Sequence, residues 1–545
     1  MKKINKREGK LLTLILTAVL MFTVFSGCGS SNTAASPSAA PSEAAEQAQT
    51  PVVVVQGAEP STLDPCFSGS TSEIQIMEHI FDSLTTHDEN NEIVGCVAKS
   101  WESSEDGLTW TFHLRDDITF SDGEKLTAAD CKYTFDRTMD PATQATGNYL
   151  WVLDGISYES SAVVDDTTFT ITTSVPCPIM PTYMADILII PEHYYSTLDT
   201  TKTQTAPLGS GPYVLESWDT ANNVITLTKN NDYWGIKAGT VTGDIETIVW
   251  KCATEDSSRV AEIVSGSADI INKVPADMAD QITGSGVATY LSTIGSQRQY
   301  IGINFKSQEV FSELAFRQAL NYAFDADTVI KTLRGGVGTR VATFVNEPYA
   351  DPDCKPYEFN PDKAKELMEA AGIKDSDGDG IREFNGEPIH LVLTACGRYS
   401  KDVEIMQAYA QNLKDVGIDA EVVQEDWSTF VSELDSKELK CDMYFLGSGS
   451  VFEVQTDLTD FLSTNASNYG SWVNSDFDAK MDELSAAFDD SARMQIGYEL
   501  QQIMREDCPI VFFTMGDNAY GISNRISWTP AKSGRIHLTN ATYNG

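Results

Sequence analysis

Positive charge is scarce in this sequence. Against 79 Asp and Glu stand only 38 Lys and Arg in 545 residues, a formal net charge of −41. The first 27 residues carry five basic side chains and one acidic, so the remainder stands at −45. Such a chain repels phosphate backbones and offers no basic stripe in compensation, which argues against nucleic acid as a partner. Anionic lipid repels it equally, so any hold on a membrane must be covalent or inserted. Histidine is rarer still: His79, His87, His113, His193, His390 and His537 are scattered and suggest no metal cluster. The sequence holds no G-x-S-x-G, no H-E-x-x-H and no P-loop, so an enzyme is not expected, and neither is a cofactor. No two cysteines are spaced C-x-x-C, which removes the usual zinc and redox motifs.

What is present begins with a leader. Met1–Lys10 is cationic, and Leu11–Phe25 is an apolar run of 15 residues, short for a membrane span and suited to a signal peptide. It ends in Phe25-Ser26-Gly27-Cys28, which resembles the bacterial lipobox with Phe25 in place of the preferred aliphatic. Residues 1–27 are therefore expected to be cleaved and Cys28 to carry lipid. Gly29–Thr50, rich in Ala, Ser and Pro, reads as a tether of 22 residues that spans roughly 25 Å. The nine later cysteines are an odd number, and several, such as Cys131, sit where an aliphatic would serve; mostly free, buried thiols are expected.

With 41% hydrophobic and 10% aromatic residues, the rest supports packed domains, two or three for this length. Val52–Gln56, Thr109–Leu114, Ile118–Phe120, Val163–Thr173 and Val224–Lys229 read as strands or hairpins. Ser72–Leu84 reads as a helix, and Thr127 as the cap of another over Ala128–Arg137. From about Ile301 helix and strand alternate: helices over Phe311–Leu333, Pro361–Ala371, Val403–Val416, Asp476–Phe488 and Ala492–Glu506, strands over Ala420–Gln424, Met443–Leu446 and Ile510–Thr514. The class is α/β.

Five blocks then carry a resemblance: Glu59-Pro-Ser-Thr-Leu-Asp-Pro65; Val97–Trp101 with Gly107–Arg115, Phe120–Gly123, Leu126–Asp130 and Arg137; Gly209–Tyr213 with Asn231–Trp234; Phe316–Asp325; and Asn360–Leu367 with Ala370–Gly372. Their ordered set resembles the family 5 extracellular solute-binding proteins of ABC importers, the oligopeptide, dipeptide and nickel binding group. The resemblance implies a periplasmic-binding-protein-like fold, type II in its large three-subdomain variety, with two lobes closing about a hinge. Lobe I would take residues 51–297, with an inserted subdomain at about 90–205. Lobe II would take 298–514, and 515–545 would return to lobe I. The chain would cross near Ser292–Tyr300 and Thr514–Asn518. The implied function is capture of a small ligand, peptides first, and delivery to a permease and ATPase by a monomer outside a Gram-positive cell. A sensory receptor on the same scaffold, or a nickel chelate, sugar or other small organic as ligand, stays open.

The same resemblance supplies site candidates. Trp427 follows a strand in a segment like the family's pocket-lining stretch. Glu453 and Asp457 lie where peptide-binding members hold the ligand's amino group, but the Trp of their Gly-Trp pair is missing from Gly447-Ser448. Tyr149, Trp151, Ser68 and Ser70 lie on loops that would face the cleft. Trp101 and Trp110 read as core. Asp375, Asp377 and Asp379 have the spacing of a calcium loop, but position 12 is Gly386; a polar turn with no metal is the expectation, with weak calcium binding left open.

Overall fold

Two strands are far longer than the rest, and the molecule is organised around them. The computed structural model describes residues 49–88, 91–449 and 453–545; the expected leader, Cys28 and most of the tether lie outside these. Ala288–Ile303 spans 16 residues and Ile510–Ser523 spans 14. They pair antiparallel along their length, with a register shift between Ile294 and Arg298. A slip of this kind bends and twists a ladder locally. Ile510–Thr514 was legible as strand; its extension through Gly516, Asp517 and Asn518 follows from pairing with the first strand, not from local propensity.

These two strands sit in the middle of an eleven-stranded sheet. On one side come Met443–Ser448, His390–Ala395 and Asp419–Gln424; on the other Ile270–Asn272, Val52–Gln56, Thr247–Cys252, Val224–Lys229 and Tyr213–Asp219, and the short Thr339–Arg340 pairs with Ile510–Ser523 off this path. Each side has its own apolar core. One gathers Val54, Phe81, Trp250 and, from the chain's far end, Tyr520, Ile536 and Leu538. The other side is built on Ile301, Phe316, Leu393, Tyr409 and Phe513, with a neighbouring cluster around Phe344, Phe430 and Trp472. The protein is thus a two-lobed α/β molecule, and the two long strands make the passage between lobes.

A separate four-stranded antiparallel sheet, Ala98–Ser103, Thr109–Leu114, Thr168–Thr173 and Tyr158–Asp165, packs on the first core. Trp110, Phe112 and Leu114 alternate inward from it, which accounts for the period-2 pattern. The helix Ala128–Met139 covers it, and Asp130 accepts the backbone N–H and hydroxyl of Thr127 at its start.

Three expectations need correction. Ser72–Leu84 is helical only over Thr71–Met77, because the carbonyls of His79 and Ile80 accept the N–H groups of Tyr213 and Gly211 instead of extending the helix. Ile118–Phe120 is no strand of a hairpin: both edges of Thr109–Leu114 are already paired, and only Thr119 makes an isolated bridge, to Lys125. Phe311–Leu333 is broken into Leu314–Tyr322 and Ala326–Leu333, because Asp325 caps the second helix by accepting the N–H of Thr328.

Candidate functional site

The parallel strands of both lobes point their C-terminal ends at the passage. In lobe I, Val52–Gln56 runs parallel to Thr247–Cys252 and Ile270–Asn272. In lobe II, His390–Ala395 runs parallel to Asp419–Gln424 and Met443–Ser448, and Ser448 pairs with Arg298 beside the register shift. The crevice beyond such strand ends is where open α/β sheets place ligands. The loops there carry Arg398, Trp427 and Glu453 on one side and Glu59, Ser68 and Ser70 on the other.

Trp427 opens the helix Trp427–Ser436, whose cap Asp426 accepts the N–H groups of Ser428 and Thr429. Its ring lies edge-on to Tyr399 at 6.2 Å and remains half-buried. Arg398 lies 5.4 Å from the Trp427 ring centre. The loop that carries it is pinned: the N–H groups of Arg398 and Tyr399 donate to Asp402, and the Tyr399 hydroxyl donates to the Gly447 carbonyl at 3.0 Å. The Arg398 side chain is exposed, and among the described residues its guanidinium makes no hydrogen bond or ion pair. In a chain with a twofold excess of acid, such a cation at a strand end is conspicuous. The sequence reading missed it; its place directly after His390–Ala395 was the available signal.

The two acids expected beside it are already engaged. Glu453 is 5% exposed. It accepts from Arg493 Nη2 at 2.6 Å and from the N–H of Thr456 at 2.8 Å, capping the helix Val454–Thr459. Arg493 also donates to the carbonyls of Leu484 and Ala487. The Asp457 side chain is 1% exposed and pairs with Arg298 Nη1 at 3.1 Å. Arg298 in turn donates to the carbonyls of Phe344 and Gly449 and stacks over Phe344 at 4.0 Å. Removing either acid would strand a buried guanidinium, a loss of about 3–5 kcal/mol.

On the lobe I side, Ser68 is 1% exposed and donates to Glu73, which also accepts from the N–H and hydroxyl of Ser61. Burial works against the Glu73 charge, but these hydrogen bonds outweigh it and hold the carboxyl below its ordinary value. Asn148 donates its N–H to the Ser68 carbonyl, and Gly147 sits so close that a Cβ there would lie 2.2 Å from that oxygen. This contact joins the loops of Ser68 and Tyr149. Tyr149 itself is buried, with its hydroxyl donated to the Leu188 carbonyl at 2.6 Å. Of the seven predicted contacts, then, Trp427, Trp151 and Ser70 present surface, whereas Ser68, Tyr149, Glu453 and Asp457 are buried in hydrogen bonds and ion pairs of the protein's own.

The lobes touch across the crevice. Phe488 stacks on Trp110 with ring centres 6.3 Å apart, and its ring lies where a Cβ on Gly107 would be, 2.4 Å away. Burial pushes the Cys177 thiol of lobe I up to about 12, and Glu453 of lobe II adds to the shift. All nine described cysteines are free. In the turn that precedes His390–Ala395, ligand atoms of Asp375, Asp377, Asp379 and Glu383 lie within 4.8 Å of one another, so Glu383 joins the group that the spacing suggested. These side chains are exposed or half-exposed, and Asp375 already accepts the N–H groups of Gly378 and Gly380. Among the described residues no helix is long and apolar enough to cross a membrane.

Known proteins share this architecture. The chain is 23% identical over 538 residues to the dipeptide-binding protein DppE of Bacillus subtilis, covering 94% of each. It is 27% identical over 400 residues to the glutathione-binding protein GsiB of Escherichia coli K12, covering 71% of this chain and 72% of that one. Among solved structures, HbpA2 of Haemophilus parasuis superimposes with a TM-score of 0.81 at 22% identity, over 91% of this chain and all of that one, a likeness of fold. The family model for the middle part of bacterial extracellular solute-binding proteins, family 5, matches residues 92–469, and the chain belongs to that family of ABC-importer binding proteins.

Proposed function

We propose that this chain captures short peptides outside the cell and presents them to an ABC permease and its ATPase, as a monomer tethered to the membrane by lipid on Cys28. The observation that carries the ligand reading is Arg398: a guanidinium with no hydrogen-bond or ion-pair partner among the described residues, braced on Trp427 at the crevice edge, is the counterpart of a ligand carboxylate. The Trp427 face covers varied apolar side chains at small entropic loss. Trp151 and Ser70 are the lobe I groups that meet the ligand. The names of the relatives, dipeptide-binding and glutathione-binding, agree with a peptide. Their family supports a binding subunit rather than an enzyme, outside the cytoplasm.

The test is native mass spectrometry of protein purified without unfolding, with the ligand then identified by fragmentation. A peptide bearing a free carboxylate is the expected result. A metal chelate, a sugar or a ligand without an anionic group would refute the reading.

A further inference from the structure

The ion pairs of lobe II bear on the other end of the ligand. Three acids follow the strand Met443–Ser448, and the first two are occupied. Glu453 is locked to Arg493 and Asp457 to Arg298, whereas Asp460 lines a small cavity of about 20 Å³ with Tyr300 and Tyr444, where burial pushes its carboxyl up and so disfavours the charge an ammonium would need. Beside Trp427, Asp426 is held by the N–H groups at the start of its helix, and Glu433 is paired with Lys440. An ammonium arriving at Glu453 or Asp457 would have to displace a guanidinium. That guanidinium is buried, with side-chain exposures of 9% for Arg493 and 2% for Arg298, and has no water to turn to. An ammonium placed beside an intact pair would instead face a carboxylate whose charge the guanidinium already offsets.

We infer that this protein takes peptides whose amino end is uncharged, acylated or otherwise blocked, while the opposite end keeps the carboxylate that pairs with Arg398. The inference rests on the peptide reading above. It adds that the recognised class is anionic rather than zwitterionic. The reason lies in where the arginines are: two are buried as partners of the acids that would hold an ammonium, and a third is left open at the crevice edge.

The experiment uses ligand-free wild-type protein and three probes: a pool of random tripeptides, the same pool N-acetylated, and the same pool amidated at the carboxyl end. Calorimetry on each pool and native mass spectrometry of the retained species give relative affinities. Acetylation is expected to leave affinity within threefold or to raise it, whereas amidation lowers it at least tenfold. A loss of thirtyfold or more on acetylation would overturn the inference while leaving the peptide reading intact. If Glu59→Gln removed that loss, the ammonium would be assigned to the exposed carboxylate after Val52–Gln56 in lobe I. Failure of all three pools to bind would overturn the peptide reading, and this inference with it. Glu453→Gln is expected to lower the melting temperature but to keep the ratio of acetylated to free affinity; a change in that ratio would show Glu453 in direct contact with the amino end.

Discussion

Replacing Arg398 by alanine separates ligand contact from packing more cleanly than any other change in the crevice. The side chain is exposed and makes no bond to the described protein, so its loss should move stability by no more than about 0.5 kcal/mol, the usual range for an unremarkable surface site. Its stack on Trp427 exists before and after the ligand arrives, so it largely cancels from the binding difference and serves to fix the guanidinium in place. What remains is the charge-assisted hydrogen bonding to a carboxylate, worth about 1.5–3 kcal/mol. That corresponds to a loss of about 10- to 150-fold in affinity. Calorimetry with the co-purified ligand and its carboxyl-amidated form, on wild type and Arg398→Ala, makes a double-mutant cycle. Amidation should weaken wild type by the same factor as the substitution and should weaken Arg398→Ala hardly at all. Arg398→Lys should recover part of the loss, since it keeps the charge without the planar fork. If Arg398→Ala binds within twofold of wild type, or if amidation is equally harmful in both proteins, the carboxylate is held elsewhere and the argument from the open guanidinium fails.

Trp427→Ala should weaken binding by about 1–3 kcal/mol, whatever the ligand, as for loss of an aromatic anchor; wild-type affinity would show the pocket to be misplaced. Gly107→Ala puts a Cβ into the Phe488 ring at a φ of +70°, so X-ray scattering should find the unliganded protein more extended than wild type, and an unchanged profile would dismiss the Phe488 contact as a closure element. His79 is buried and neutral, its Nδ1 bonded to the Gln75 carbonyl and its Nε2 accepting the N–H of Leu538. Burial, reinforced by His537, holds its pKa well below 6.5, so the unfolded chain binds the proton first. The stability is therefore complete above about pH 6.5 and is lost as pH falls below it, by at most about 1.4 kcal/mol per unit; thermal melts from pH 7.5 to 5 check this, and His79→Gln should flatten the slope. Cys28→Ala should move the protein from the membrane fraction to the medium, and continued partitioning with membranes would rule out the lipid.

Much of the fold was legible because local chemistry and tertiary structure agree. Thr127 and Asp130 cap their helix with side chains three residues apart, and Val52–Gln56 and Val224–Lys229 are strands with the bounds the pattern gave. The ordered blocks resembled the family because their apolar residues build its cores, Leu63, Trp110, Phe112 and Tyr213 in the first and Phe316, Leu320 and Ala364 in the second. The crevice was less legible. Glu453 became a candidate clamp through the family resemblance, and nothing near it in sequence betrayed its partner; Arg493 is 40 residues away. Arg298 reaches Asp457 only because the long strand brings it beside Ser448. Ion pairs between distant segments leave no local pattern, so a reading of neighbours picks out the acids and passes over Arg398, whose guanidinium stays open among the described residues.

Neither lobe is a severable module. Both passages are neighbouring strands in one continuous sheet rather than two flexible cords. A fragment cut to residues 298–514 would carry the stumps of both long strands without the halves that continue the sheet. Unpaired backbone at such an edge is a template for edge-to-edge aggregation. Biosensors or split reporters made from this protein should therefore leave the central ribbon whole and place insertions in exposed turns such as residues 375–380.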